Sequence, residues 1–421
     1  MLFLSLFRGR EEVFARRWYN KKEEKGYYSP VCANEWKSGI CGKLAKKKCK
    51  ECSNRQFLSM KSSDVDAHLR GKNADASDVI GVYPLTEDEC CYFLAVDFDK
   101  EDWHKDILAF KETCDEKGFP VYIERSRSGE GAHAWFFFTD KVEASIARKF
   151  GMCLLNHAMD KRYELKFKSY DRLLPNQDKL PKGGFGNLIA LPLQGLARNT
   201  GNSVFVNDKF EPYFDQWAFL STIEKMTPNQ VKVFSEILES HGELGILNEI
   251  ESNHKHKPWE KKKIESLNLE KDFPQKLKLI LADGIYIEKR GVSSRALNQI
   301  KRIAVYHNPE FYKAQNLRLS TRKIPRIIDC SENFNAYLKI PRGCFDALIT
   351  FLNEGGILYE LEERTNNGQK IKVSFQGNLR DEQIPAAKSL LEQKIGVLSA
   401  TTAFGKTVIA AEIIARKKIN Y

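Results

Sequence analysis

Residues 92–99 read Tyr92-Phe-Leu-Ala-Val-Asp97-Phe-Asp99, an apolar run ending in two acids spaced two apart. Side chains alternate faces along a strand, so both carboxylates project from the same side. Adjacent carboxylates repel unless a positive charge sits between them. A divalent ion is the usual answer, and ions held by carboxylates commonly handle phosphates.

Around this strand the chain alternates strand-like and helix-like patterns. Strands are expected near 79–84, 91–98, 120–124, 132–138 and 187–193, and helices near 104–117 and 141–161. The alternation predicts a mixed α/β (α+β) domain over 61–225. A basic module precedes it, residues 1–60, with fourteen Lys and Arg against six Glu. Such a density suits a polyanionic partner, above all nucleic acid. Residues 226–265 read as helix running into a charged linker, 266–375 as a second α/β region, and 376–421 as the start of a further unit. In that second region Arg318, Arg322, Lys323 and Arg326 suggest a track for DNA. The 421 residues carry a formal charge of +11 and ten Cys. No apolar stretch reaches the roughly 18 residues of a membrane span, and no secretory signal is legible. Reduced cysteines in a cytoplasmic protein are therefore expected, with no membrane partner.

Cys32, Cys41, Cys49 and Cys52 form a C-x8-C-x7-C-x2-C set. The closing CxxC lets two sulfurs reach one tetrahedral ion, so a structural Zn²⁺ is expected here. Downstream of the acid pair, Glu124-Arg-Ser-Arg-Ser-Gly-Glu-Gly-Ala-His133-Ala-Trp-Phe-Phe-Phe138 is a polar turn entering an apolar strand. Ser126, Ser128, Gly129 and Gly131 can bring backbone N–H groups and hydroxyls to a phosphate. Arg125 and Arg127 add charge, and His133 shares a strand face with Trp135 and Phe137. The segment from Ser169 to Leu193 offers Asp171 and Asp178 as a third carboxylate, and Arg198 beyond it suits a phosphate or a template strand.

Near the C-terminus Ala400-Thr-Thr-Ala-Phe-Gly405-Lys406-Thr407 matches A-x4-G-K-T. With Val397-Leu-Ser read as a strand and Val408 to Arg416 as a helix, this is the context of a phosphate-binding loop. Lys406 would serve the phosphates and Thr407 a Mg²⁺. Leu379-Arg-Asp-Glu-Gln383 upstream resembles the glutamine motif of superfamily 2 helicases. The chain ends fourteen residues after Thr407, so an incomplete motor is expected, without helicase or ATPase activity of its own.

The ordered set of Asp97 and Asp99, the turn from Ser128 to His133, and Asp178 before Gly183-Gly184 resembles the motifs of archaeo-eukaryotic primases, or primase-polymerases. The version in TOTE conflict systems, fused to a DEAD/DEAH-type helicase, is the nearest resemblance. It is carried also by Phe7-Arg-Gly-Arg10, Pro175-Asn-Gln-Asp178, Gly184-Phe-Gly-Asn-Leu-Ile-Ala-Leu-Pro-Leu193 and Asp215-Gln-Trp217. The resemblance implies a primase fold with an RRM-like catalytic sheet, an N-terminal zinc module and a truncated C-terminal P-loop helicase segment. It implies a template-dependent nucleotidyltransferase using two Mg²⁺ or Mn²⁺ ions held by Asp97, Asp99 and Asp178, with Asp171 the other choice. His133, Ser128 and nearby backbone would contact the NTP or dNTP substrate. DNA, an RNA primer, the rest of a helicase and other conflict-system proteins are the implied partners, and ATP the implied cofactor of a complete motor. Many relatives carry Ser where this chain has Gly131. A two-metal nuclease and an inactive DNA-binding adaptor are the alternative readings.

Overall fold

The computed structural model describes residues 2–45, 49–99, 102–165, 172–239, 269–319, 321, 324–366, 368–393 and 395–419. The chain divides into two compact units. One comprises Met1–Asp272 with Val292–Cys330, the other Phe273–Gly291 with Ser331–Tyr421. The expected block 266–375 is thus shared between them.

Strands in the first unit are β1 Ala15–Asn20, β2 Lys25–Pro30, β3 Ile80–Val82, β4 Cys90–Asp99, β5 Tyr122–Arg125, β6 Gly131–Glu143, β7 Leu173–Leu174, β8 Ile189–Ala190 and β9 Val204–Phe205. The main sheet runs β7-β4-β6-β5-β9, every neighbour antiparallel. The helix Trp103–Glu116 joins β4 to β5, and Ala144–Lys161 joins β6 to β7. The sequence β-α-β-β-α-β with spatial order fourth, first, third, second is the split arrangement of RRM-like and ferredoxin-like sheets. The architecture fits an α+β primase domain.

β4 and β6 read as almost unbroken apolar runs because both faces of the sheet are covered. Phe98 and Phe136 face the helices, their rings 5.5 Å from Phe110 and 5.3 Å from Phe150. Gly151 lets the second helix close on Leu94, since a Cβ there would lie 2.7 Å from the leucine. On the opposite face Phe93, Trp135 and Phe137 pack with Phe7, whose ring sits 5.2 Å from Trp135 and 5.5 Å from Phe137. Each such buried aromatic contributes on the order of 2–3 kcal/mol of burial. Asp97 and Asp99 continue this second face past the end of the aromatic wall.

The smaller sheet runs β2-β1-β3-β8, and the cysteine-bearing segment follows β2. Residues 292–330 add the helices Ser294–Arg302 and Pro309–Asn316 and the antiparallel pair Val305–His307 with Ile327–Asp329. This segment straps onto the first unit. Asn298 Nδ2 donates to Asp160 at 2.6 Å, and the backbone N–H of Lys182 donates to Arg318 O at 2.9 Å.

In the second unit, strands Leu277–Leu281 and Gly284–Glu288 form a hairpin. Tyr337–Pro341 pairs with the latter, and Tyr359–Glu363 runs parallel to the former. Its tail carries the helices Gln383–Glu392 and Lys406–Lys417. Residues 397–399, expected as a strand, form none, and Val397 is 92% exposed. A strand needs a neighbour for its N–H and C=O groups, and no described strand pairs with this stretch. No described helix is long and apolar enough to cross a membrane.

Candidate active site

The register of β4 and β6 builds the site. Asp97 lies opposite His133 and Asp99 opposite Gly131, while β5 places Glu124 opposite His133 from the other side. Three adjacent strands thus bring two carboxylates, an imidazole and a third carboxylate to one face. Gly131 is required here, because a Cβ would stand 2.5 Å from the carbonyl oxygen of Phe98. The tight approach of the two strands accounts for glycine at this position.

Sequence reasoning misses Glu124, an acid facing inward on a short strand that it shares with Tyr122, Ile123 and Arg125. Its carboxylate is 2% exposed. His133 Nδ1 sits 2.6 Å from Glu124 Oε2, and Trp135 Nε1 donates to the same oxygen at 3.2 Å. A carboxylate only accepts, so Nδ1 carries the proton and Nε2 is presented to Asp97, 3.7 Å from Oδ1. Burial disfavours the imidazolium, but Glu124, by charge and hydrogen bond, and then Asp97 outweigh it and raise the His133 pKa. Asp97 is also raised. Its burial and the neighbouring Asp99 outweigh the attraction of His133 and Arg172.

Arg172 was likewise unassigned. Its guanidinium bridges the acid pair, 3.6 Å from Asp97 Oδ2 and paired with Asp99 Oδ1. A pair of partly exposed carboxylates that gathers a guanidinium between them has the donor chemistry that suits a hard divalent cation. Among the described residues no group of three or more His, Cys, Asp or Glu is spaced to hold an ion. Asp171 lies outside the described residues.

Asp178 has a different setting from the acid pair. Arg148 Nε approaches its Oδ1 at 2.9 Å and Arg326 Nη1 its Oδ2 at 3.3 Å, while Gln315 Nε2 donates at 3.0 Å. Burial works against the carboxylate, but the two guanidinium groups prevail and hold its pKa below the usual value. Arg326 is 2% exposed, its guanidinium 4.5 Å from the Phe311 ring. It therefore serves this buried pair, not an exposed track. Arg318 pairs with Glu89 at 2.6 Å, and Arg322 and Lys323 lie outside the described residues.

The turn from Ser126 to Glu130 is held by its own hydroxyls. Ser128 Oγ lies 3.1 Å from Ser126 Oγ and accepts from the Glu130 N–H at 3.3 Å, with Gly129 at φ +81°. Arg127 reaches Tyr28 of β2, and Arg125 donates to the carbonyls of Gly201 and Phe210. Arg198 Nη2 donates to Leu69 O at 2.6 Å. Of the residues expected at a nucleotide, the structure gathers His133 with the acid pair and ties Arg198 and Arg127 elsewhere.

Cys32, Cys41, Cys49 and Cys52 together line a cavity of about 20 Å³, room for about one water-sized sphere. The Gln56 N–H donates to Cys32 Sγ at 3.3 Å. Burial raises the Cys49 thiol pKa, with the Lys43 charge opposing. In the tail, Lys406 Nζ donates to the carbonyls of Ala400 and Thr401 at 3.0 and 2.8 Å. Gln383 Nε2 donates to Phe404 O at 2.7 Å. The segment ending at Gln383 and the glycine-lysine loop therefore meet. Gly405, at φ +87°, has no space for a Cβ, which would lie 2.4 Å from Gln383 Nε2.

No curated protein matches the chain in sequence. The family model described as the TOTE conflict system, archaeo-eukaryotic primase domain, matches residues 1–234. That span covers more than half of the chain and contains the acid pair, Glu124, His133 and Arg172. The chain belongs to the archaeo-eukaryotic primase domain family of TOTE conflict systems, a family of primase-polymerase-type nucleotidyltransferases.

Proposed function

We propose that the first unit is a template-dependent primase-polymerase that joins an NTP or dNTP to a nucleic-acid 3′ end. The single observation that carries this reading is the convergence of Asp97, Asp99 and His133 on one sheet face of a chain in this family. Asp97 and Asp99 would hold two Mg²⁺ or Mn²⁺ ions, which supply Lewis acidity toward the 3′-hydroxyl and the pyrophosphate. The Asp178 carboxylate is taken by Arg148 and Arg326, and Asp171, the other choice for a third ligand, lies outside the described residues.

The protein's own groups then divide the work. His133, fixed by Glu124 and protonated on both nitrogens as its raised pKa favours, offers Nε2–H to a triphosphate oxygen. Arg172 moves from the carboxylates to developing negative charge when cations enter. The aromatic wall of Phe93, Trp135 and Phe7 keeps water from one side of the site. The four cysteines would hold a structural Zn²⁺, and the tail would be the opening segment of a superfamily 2 helicase of the same conflict system, with ATP bound only by the complete motor.

Primer extension tests the reading. Labelled dNTP or NTP should be incorporated on a primed template with Mn²⁺ or Mg²⁺, and Asp97→Ala with Asp99→Ala should abolish it. Unchanged incorporation by the double variant would remove the proposal. Strand cleavage in place of extension would make the site a nuclease.

A further inference from the structure

A second cavity lies in the first unit, between the small sheet and the loop bearing Trp36. Its volume is about 480 Å³, and Arg16, Arg17, Trp18, Ser29, Trp36 and Asp64 contribute to its lining. None of Asp97, Asp99, Glu124, His133 or Arg172 does. Its size suits an organic group of nucleobase dimensions or somewhat larger.

Two tryptophans in its wall are unusually open, Trp18 at 41% and Trp36 at 59% exposure. Tyr27 stacks on Trp18 with ring centroids 5.2 Å apart, holding that ring in place. Lys43 Nζ stands 5.2 Å from the Trp36 ring. Trp36 also adopts φ +62°, a left-handed conformation that bulky side chains avoid. Strain of this kind persists where the surroundings impose it, and it concentrates at ligand sites.

The acids around the cavity are already answered. Glu35 pairs with Lys43 at 2.5 Å and Asp64 with Arg16 at 2.6 Å. Asp78 accepts from the Asn73 N–H at 3.0 Å and from Gln194 at 3.2 Å. The module around it carries fourteen Lys and Arg against six Glu. Open aromatic platforms within a basic surface are the means by which proteins hold single strands, since every base has a face to stack.

We propose that this cavity takes an unpaired base of a single-stranded nucleic acid, whose phosphates run over the surrounding lysines and arginines. The assignment does not rest on the nucleotidyltransferase reading, and the two fail separately.

The test measures binding of a fluorescent oligothymidylate of about 20 nucleotides to the full chain. Trp18→Ala with Trp36→Ala should weaken binding about tenfold or more, the loss expected when base stacking is removed. The salt dependence should survive, because the phosphate contacts remain. Trp18→Phe with Trp36→Phe should retain most of the affinity. In the wild-type protein the oligonucleotide should quench tryptophan emission, a readout that needs no variant. A loss under twofold in a folded alanine variant overturns the assignment, as does absence of quenching. Equal affinity for duplex, or competition by free thymidine monophosphate at oligonucleotide concentrations, overturns it too.

Discussion

Glu124 Oε2, on a side chain buried beneath the site, lies 2.6 Å from His133 Nδ1 across neighbouring strands. The pairing fixes both the orientation of the ring and which nitrogen faces Asp97. Glu124→Gln keeps the size but offers a weaker, neutral partner. Nucleotide incorporation should fall about tenfold to a hundredfold, the usual cost of losing a group that orients an active-site histidine. Removing the carboxylate should also lower the His133 pKa, which NMR titration of the imidazole would record. An unchanged titration would deny Glu124 this role.

Asp97 is held above its ordinary pKa by burial and by Asp99. Ionising it in the folded protein is therefore unfavourable. Asp97→Asn should raise Tm by about 2 °C, the shift that roughly 1 kcal/mol produces in a domain of this size, while eliminating incorporation. Divalent cations should stabilise the wild type and not this variant. Differential scanning calorimetry with and without Mn²⁺ gives both results.

Breaking the buried pair at Asp178 should be costly. Asp178→Ala removes the carboxylate that the buried Arg148 and Arg326 share, a change worth about 3–5 kcal/mol, measurable by urea denaturation. If Asp178 serves structure alone, Asp178→Asn retains the cation-dependent stabilisation that Asp97→Asn loses.

The pH dependence has two limbs with opposite signs. His68 is buried, with Nε2 3.0 Å from Pro192 O, and burial lowers its pKa from 6.5 to about 4. Its contribution is full above about 6.5 and is lost as the pH falls toward 4. The depressed Asp178 contribution is present above its unfolded value near 3.8 and is lost on further acidification. His133 is raised, so its contribution is full below 6.5 and fades as the pH rises through its folded value. Denaturation midpoints should fall in acid, with His68→Gln flattening the decline between about pH 6.5 and 4.

Gly131→Ser would force a Cβ against Phe98 O. Overpacking of this kind costs about 1–3 kcal/mol. The variant should melt earlier and incorporate nucleotides more slowly, as Tm and single-turnover assays would show.

Much of the sheet was legible because its pattern is local. The apolar runs at 91–98 and 132–138 become β4 and β6, and the acids and His133 fall on the expected face. Glu124 and Arg172 escaped notice because their roles depend on partners supplied by other strands, although strand alternation marks Glu124 as inward-facing. Asp178 looked available because its motif precedes a glycine turn. Its countercharges come from residues 148 and 326, far apart in sequence, and no local pattern predicts such a meeting. The expected strand at 397–399 failed for a related reason, since strandness is a property of a pair.

The strap formed by residues 292–330 means that order along the chain and order in space diverge. The chain crosses between the two units at 272–273, 291–292 and 330–331. A clone ending at residue 234, where family similarity stops, would discard Gln315 and Arg326, two of the three side chains that hold Asp178. The inherited boundary of the primase domain, at residue 234, and the boundary of the compact unit, which takes in residues 292–330, are different places.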